Sequence, residues 1–172
     1  TTYYVDGEME YISTWQTIED KDYYFDENGY VVKGMAQVPA KDGTRISKFI
    51  FDETTGAFAA DYSGLYDHGA DTYMAENGEI KNTEGLVRIV KPDGEVNYYY
   101  FVSDKAVKGT TASVEKTNGL LLPTNNYVFD EFGVILHDED TSKNGKITEA
   151  DGVTYYYVDG VKAYMGLVFD GE

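Results

Sequence analysis

The chain has 172 residues, with 31 Asp and Glu against 14 Lys and Arg and a net charge of −17 at pH 7. That balance excludes binding through basic patches, so nucleic acid and anionic lipid are not expected partners, and a polyphosphate such as teichoic acid is disfavoured. The chain has no cysteine, which excludes a disulfide framework and a thiolate metal site; no run of about 18 apolar residues is present to insert into a membrane as a helix.

Along the chain one short phrase keeps returning: two or three aromatics, an acidic turn with Gly, then a few apolar residues. It appears at Tyr3-Tyr4-Val5-Asp6-Gly7 and at Tyr23-Tyr24-Phe25-Asp26-Glu27-Asn28-Gly29. It recurs at Phe49-Ile50-Phe51-Asp52 through Gly56, and at Tyr73-Met74-Ala75-Glu76-Asn77-Gly78. Further copies are Tyr98-Tyr99-Tyr100-Phe101, with Lys105 in the Gly place, Tyr127-Val128-Phe129-Asp130 through Gly133, and Tyr155-Tyr156-Tyr157-Val158-Asp159-Gly160. Spacing this regular marks a repeat array. The units run approximately over 1–14, 15–38, 46–66, 71–89, 96–114, 125–137 and 153–172.

Each unit reads as a β-hairpin. The aromatic and β-branched residues favour a pleated strand. Asn28-Gly29, Asn77-Gly78, Asp6-Gly7 and Asp159-Gly160 accept the positive φ of tight turns. A short strand follows each turn, as in Tyr30-Val31-Val32-Lys33. A second Gly (Gly34, Gly64, Gly85, Gly109, Gly166) then lets the chain swing into the next unit. No window carries the apolar spacing of a capped helix. The expected fold is all-β: tandem hairpins stacked as an elongated solenoid or superhelix, because a lone hairpin is only marginally stable. The chain opens inside one repeat and closes where another starts. It therefore reads as an excerpt of a longer array, with any signal peptide or catalytic domain outside it.

The segment from Trp15 through Tyr23-Tyr24-Phe25-Asp26-Glu27-Asn28-Gly29 to Gly34-Met35 resembles the cell-wall-binding repeats of Gram-positive surface proteins. That group includes choline-binding repeats and the glucan-binding repeats of secreted glucosyltransferases. Lys116-Thr117-Asn118-Gly119-Leu120-Leu121 and Gly152-Val153-Thr154-Tyr155-Tyr156-Tyr157-Val158-Asp159-Gly160 resemble a divergent, clostridial-type branch. The resemblance covers nearly the whole chain and implies an extracellular, cell-wall-associated module. In that family choline sits in an aromatic cage, where ring faces attract quaternary ammonium. Here the position after the linking Gly is Trp only at Trp15; elsewhere it is Met35, Leu65, Leu86, Thr110 and Leu167. Most cages are broken, and choline binding is not predicted.

Seventeen Tyr can pack between hairpins while their hydroxyls reach water, or can stack on sugar rings. Trp15, Tyr24, Tyr98 and Tyr155 are the candidate glycan contacts. The periodic acids at the turns either form a ridge for hard cations or simply make good turns. Asp140, Ser142, Asn144 and Asp151, with Gly145 and Ile147 between them, match the spacing of a calcium loop. The same residues also read as an ordinary linker into a strand. Neither His68 nor His137 lies in a catalytic motif, and no nucleophile elbow or phosphate loop occurs. The expected function is therefore non-catalytic: anchoring a secreted protein to a cell-wall polysaccharide or another extracellular glycan. The alternative is a structural or adhesive stalk that binds a protein partner and has no glycan site.

Overall fold

The computed structural model describes residues 11–164, together with the backbone of Tyr4–Val5 and Glu8–Met9. The expected turn at Asp6-Gly7, and the positions Gly166 and Leu167, lie outside the described residues. Among the described residues there is no helix, and every strand pairing is antiparallel. The chain divides into two compact units, Thr1–Asn82 and Thr83–Glu172.

In the first unit β1 (Tyr4–Val5) pairs with β2 (Glu8–Met9), and β3 (Thr14–Ile18) pairs with β4 (Lys21–Phe25). A five-stranded sheet follows. It contains β5 (Gly34–Pro39), β6 (Ile46–Phe51), β7 (Gly64–His68), β8 (Asp71–Glu76) and β9 (Glu79–Ile80), in the order β5-β6-β9-β8-β7. The second unit holds β10 (Gly85–Val90), β11 (Val96–Val102) and β12 (Lys105–Ala106) in one sheet. The hairpin β13 (Thr110–Val114) with β14 (Asn125–Phe129) comes next. A last sheet contains β15 (Gly145–Thr148), β16 (Thr154–Val158) and β17 (Val161–Tyr164).

The hairpin reading needs one correction. The aromatic strand is the second strand of its hairpin, and its longer partner precedes it. The Gly turn after it leads only to a two-residue strand or a single bridge, such as Phe25 to Val31, Phe51 to Phe58 and Phe129 to Ile135, except at β17. The turns of the larger hairpins are Asp-Gly at Asp42-Gly43, Asp93-Gly94 and Asp151-Gly152, and the first of the larger hairpins has no such dipeptide. Between β3 and β4 the turn is Glu19-Asp20, with φ of 49° and 62°. Both residues take the positive φ of a tight hairpin turn without Gly or Asn. Ser103-Asp104 does the same between β11 and β12, so Asp104, not Lys105, fills the place held by Gly78 and Gly160.

The acidic turn residues have a local task. The Asp26 carboxylate accepts the N–H groups of Asn28 and Tyr30, each at 2.9 Å. Asp130 accepts those of Phe132 and Val134 in the same way, at 2.9 and 2.8 Å. Asp52 accepts those of Thr54 and Thr55, and these bonds, with the Thr55 hydroxyl, hold its carboxyl below the ordinary range. Such bonds close the turn from the side chain.

The Gly of the turn does more than relax φ. Gly78 is buried, with φ of 78°, and a Cβ there would stand 2.5 Å from the Ala59 carbonyl oxygen. Its N–H donates to the Tyr62 carbonyl and its own carbonyl accepts from the Ile50 N–H, each at 2.8 Å. A Cβ at Gly56 would likewise stand 2.9 Å from the Val32 carbonyl oxygen of the preceding repeat. Close backbone approach between repeats is what demands glycine at these two turns.

Candidate functional site: a groove in the second unit

The strand ladders put a comparable residue trio on one rung of several hairpins; Leu65, Met74 and Lys81 form one that is half-buried to exposed. In the first long hairpin Trp15 faces Tyr24, and Val32 donates its N–H to the Tyr24 carbonyl. In the next, Met35 faces Ile50, and Ala59 donates to Ile50. In the second unit Leu86 faces Tyr100, and Val107 donates to Tyr100. Then Thr111 faces Val128, and Leu136 donates to Val128.

Three of these trios are closed by a neighbouring hairpin. Trp15, Tyr24 and Val32 pack with Phe49, Phe51 and Phe58. Met35, Ile50 and Ala59 pack with Tyr73, Ala75 and Ile80. Leu86, Tyr100 and Val107 belong to the main cluster of the second unit, where the Tyr100 and Phe129 rings stack at 6.3 Å.

The fourth trio is open. Thr111 replaces Trp, Met or Leu, and Val128 replaces Tyr or Ile, so the rung is too small to fill its space. Thr111 is exposed, Val128 is 45% exposed and Leu136 is 68% exposed. The result is a groove of about 450 Å³, within the size range of small-ligand sites. One wall carries Thr111, Asn126, Val128 and Leu136; the other carries Tyr157, Gly160, Val161 and Lys162, with His137 and Asp138 between them.

The groove has an apolar floor and a few polar side chains, some committed and some not. Asp138 accepts from the Asp140 N–H and from Lys143 Nζ, both at 2.9 Å, and these bonds hold its carboxyl below the ordinary range. His137 Nδ1 lies 2.6 Å from the Asp138 carbonyl oxygen, which can only accept, so Nδ1 carries the proton. Among the described residues no hydrogen bond uses the side chains of Thr111, Asn126 or Lys162. An apolar surface with free amide, hydroxyl and ammonium groups can stack a sugar ring and bond its oxygens.

Of the four aromatics expected to contact glycan, Trp15 and Tyr24 lie in the first unit and Tyr98 and Tyr155 in the second, and none of them lines the groove. Trp15 and Tyr24 touch edge to face at 5.7 Å inside the first unit, and Trp15 Nε1 donates to the Pro39 carbonyl at 2.7 Å. Lys41, paired with Asp22, holds its ammonium 5.4 Å from both the Trp15 and Phe58 ring centroids. Tyr98 is 1% exposed, its hydroxyl donates to the Asp159 carboxylate, and burial pushes its ionisation well above the ordinary range. Tyr155 is half-buried; its hydroxyl donates to Asp151, and Lys162 Nζ stands 3.9 Å over its ring.

The calcium-type spacing does not become a loop. Asp140 accepts from the Ser142 N–H and hydroxyl, and Asn144 Oδ1 accepts from the Asp159 N–H. Gly145–Thr148 then runs as β15, and Asp151 sits in the turn beyond it, bonded to the Val153 N–H and the Tyr155 hydroxyl. An extended strand advances about 3.3 Å per residue, so Asp151 is carried away from the other three rather than wrapped around a common centre. Among the described residues no cluster of three or more His, Asp or Glu could hold a metal ion.

The groove was legible only after the ladder was known. Counting from the linking glycine puts Thr110 in the rung; pairing of Thr110 with Phe129 puts Thr111 there. Gly109 stands one residue before the strand, its N–H donating to the Asp130 carbonyl at 2.7 Å, and that shifts the count.

No protein-family profile and no curated protein matches the chain. The solved structures it is similar to include the modular autolysin LytC of Streptococcus pneumoniae in complex with a synthetic peptidoglycan ligand. The identity is 19% over 88% of this chain and 33% of that one, with a TM-score of 0.41. Choline binding protein F of Streptococcus pneumoniae is 20% identical over 76% of this chain and 41% of that one, with a TM-score of 0.34. An alternansucrase in complex with isomaltononaose is 19% identical over 88% of this chain and 10% of that one, with a TM-score of 0.37. Choline-binding proteins are thus among the solved structures this chain is similar to, and it spans less than half the length of each of the three. TM-scores of 0.41 and below leave the chemistry of the site to the residues of the groove itself.

Proposed function

We propose that this chain is a non-catalytic, extracellular glycan-binding module that holds a larger secreted protein on the bacterial cell wall. The observation that carries the reading is the open fourth rung. A repeated packing scheme closes three comparable positions with large side chains and leaves Thr111 and Val128 small at the fourth. The space that results is apolar on its floor and offers uncommitted polar groups at its rim. Such a groove binds one short stretch of saccharide weakly, and several modules in one longer chain would raise the effective concentration of one another.

The test is co-sedimentation of the purified chain with isolated Gram-positive cell walls, with soluble glucans as competitors. Saturable pelleting that the sugars reverse is the expected result. A chain that stays in the supernatant with every wall preparation, yet captures a defined protein partner, supports the stalk reading instead.

The proposal includes continuation of the seven hairpin units as one elongated array. Small-angle scattering should then give a radius of gyration above the value of about 16 Å for a compact domain of this length. A value at or below that figure removes the array from the account.

A further inference from the structure

We infer that the groove selects saccharides that carry a carboxylate, and that Lys162 is the residue that selects them. This rests on the glycan reading of the same groove. Lys162 pairs with Tyr157 across β16 and β17, beside the bulge at Tyr156 and Tyr157, which places it on the groove wall. Its ammonium stands 3.9 Å over the Tyr155 ring. Among the described residues it has no carboxylate within ion-pair distance.

The carboxylates whose charge Lys162 favours are Asp138 and Asp151, and neither stands within ion-pair distance of it. Asp138, the carboxylate among the groove-lining residues, is neutralised by Lys143, which lies 2.9 Å from Asp138 and 3.5 Å from Glu149. The Nδ1–H of His137 donates a hydrogen bond to the Asp138 carbonyl. Lys162 therefore lines the groove with the hydrogen-bonding capacity of its ammonium unused, and the amide of Asn126 and the hydroxyl of Thr111 line the same groove. Tyr155 is a positioning residue here. Its ring faces the ammonium and limits where it swings, and a cation held this way loses less freedom on meeting an anion.

The net charge of −17 opposes an acidic ligand at long range. That repulsion is screened beyond about 8 Å at physiological salt. A contact between an ammonium and a carboxylate, with hydrogen bonds, persists at that ionic strength. Selection is therefore local, and is read at 0.15 M salt, where screening has removed most of the distant repulsion.

The experiment measures binding of the whole chain to two probes by titration calorimetry: chitohexaose, which is neutral, and a hyaluronan hexasaccharide, which carries a carboxylate on alternate sugars. The expected result is at least tenfold tighter binding of the hyaluronan fragment. Lys162→Gln should remove that preference by weakening hyaluronan binding at least tenfold more than chitohexaose binding, and Lys162→Arg should retain it. Equal affinity for the two sugars overturns the inference, as does a preference that survives Lys162→Gln with the fold intact by circular dichroism. In either case, chitohexaose binding that Val128→Trp abolishes leaves the groove itself standing as a glycan site. Binding of neither sugar overturns both.

Discussion

Gly78→Ala and Gly69→Ala form a matched pair that separates the two demands a repeat turn makes on its glycine. Both residues lie in the first unit and both have positive φ, 78° and 60°. An L-residue in that conformation loses roughly 1–2 kcal/mol, and each variant carries this cost. Around Gly69 there is nothing within 4 Å of the added Cβ. At Gly78 the Cβ would meet the Ala59 carbonyl oxygen at 2.5 Å and the Phe58 ring at 2.6 Å. The carbonyl is backbone and cannot rotate away, so the repeats must move apart, a cost of about 1–3 kcal/mol for overpacking. Gly69→Ala should therefore lose about 1–2 kcal/mol and Gly78→Ala about 2–5 kcal/mol in total. Urea unfolding followed by tryptophan fluorescence reads this cleanly, because the sole tryptophan, Trp15, lies in the same unit. With a slope of about 1–3 kcal/mol per molar urea, the Gly78→Ala midpoint should fall about 1 M below that of Gly69→Ala. Coincident midpoints would refute the close backbone approach between repeats.

Two further perturbations test the second unit and the aromatic cluster of the first. Asp159 accepts from Arg88 Nε at 2.8 Å and from the Tyr98 hydroxyl, and Arg88 holds its carboxyl below the ordinary carboxylate range. The folded-state value is the lower one, so this stabilisation is complete at neutral pH and fades as pH falls below about 4. Asp159→Asn should cost about 1–3 kcal/mol at pH 7, and the gap from the parent should narrow through acid titration; a gap that is constant with pH removes the charge from the explanation. Lys41→Met deletes a half-exposed ion pair with Asp22 and an ammonium beside two rings. It should cost only about 0.5–1 kcal/mol while shifting Trp15 emission; unchanged emission would mean that Lys41 does not sit on the ring in solution.

The all-β, antiparallel character could be read from the chain because aromatic runs and turn residues alternate with no helical period. The repeat could be read too, because its turn glycines are fixed by packing as well as by φ. What stayed hidden depended on pairing. The turn Glu19-Asp20 has no glycine, so nothing in the sequence marks the strand that precedes this aromatic run. The offset at Gly109 moved the critical rung from Thr110 to Thr111. Tyr98 is a strong aromatic signal in sequence, yet its partner Asp159 lies 61 residues away, and only the fold shows that the pair is buried. A groove made by small residues leaves no positive mark in a sequence; it shows only against the large residues that fill the corresponding places elsewhere.

The double variant Thr111→Leu with Val128→Tyr rebuilds the rung as Leu86 and Tyr100 have it, closing the groove with side chains this fold already accommodates. Cell-wall co-sedimentation of the parent and the double variant is the direct measurement, with a thermal melt of each as the control for folding. The parent should pellet saturably, and the double variant should stay in the supernatant with a melting temperature equal to or above the parent's. Equal pelleting of the two proteins would place binding elsewhere on the chain and contradict the assignment of the groove.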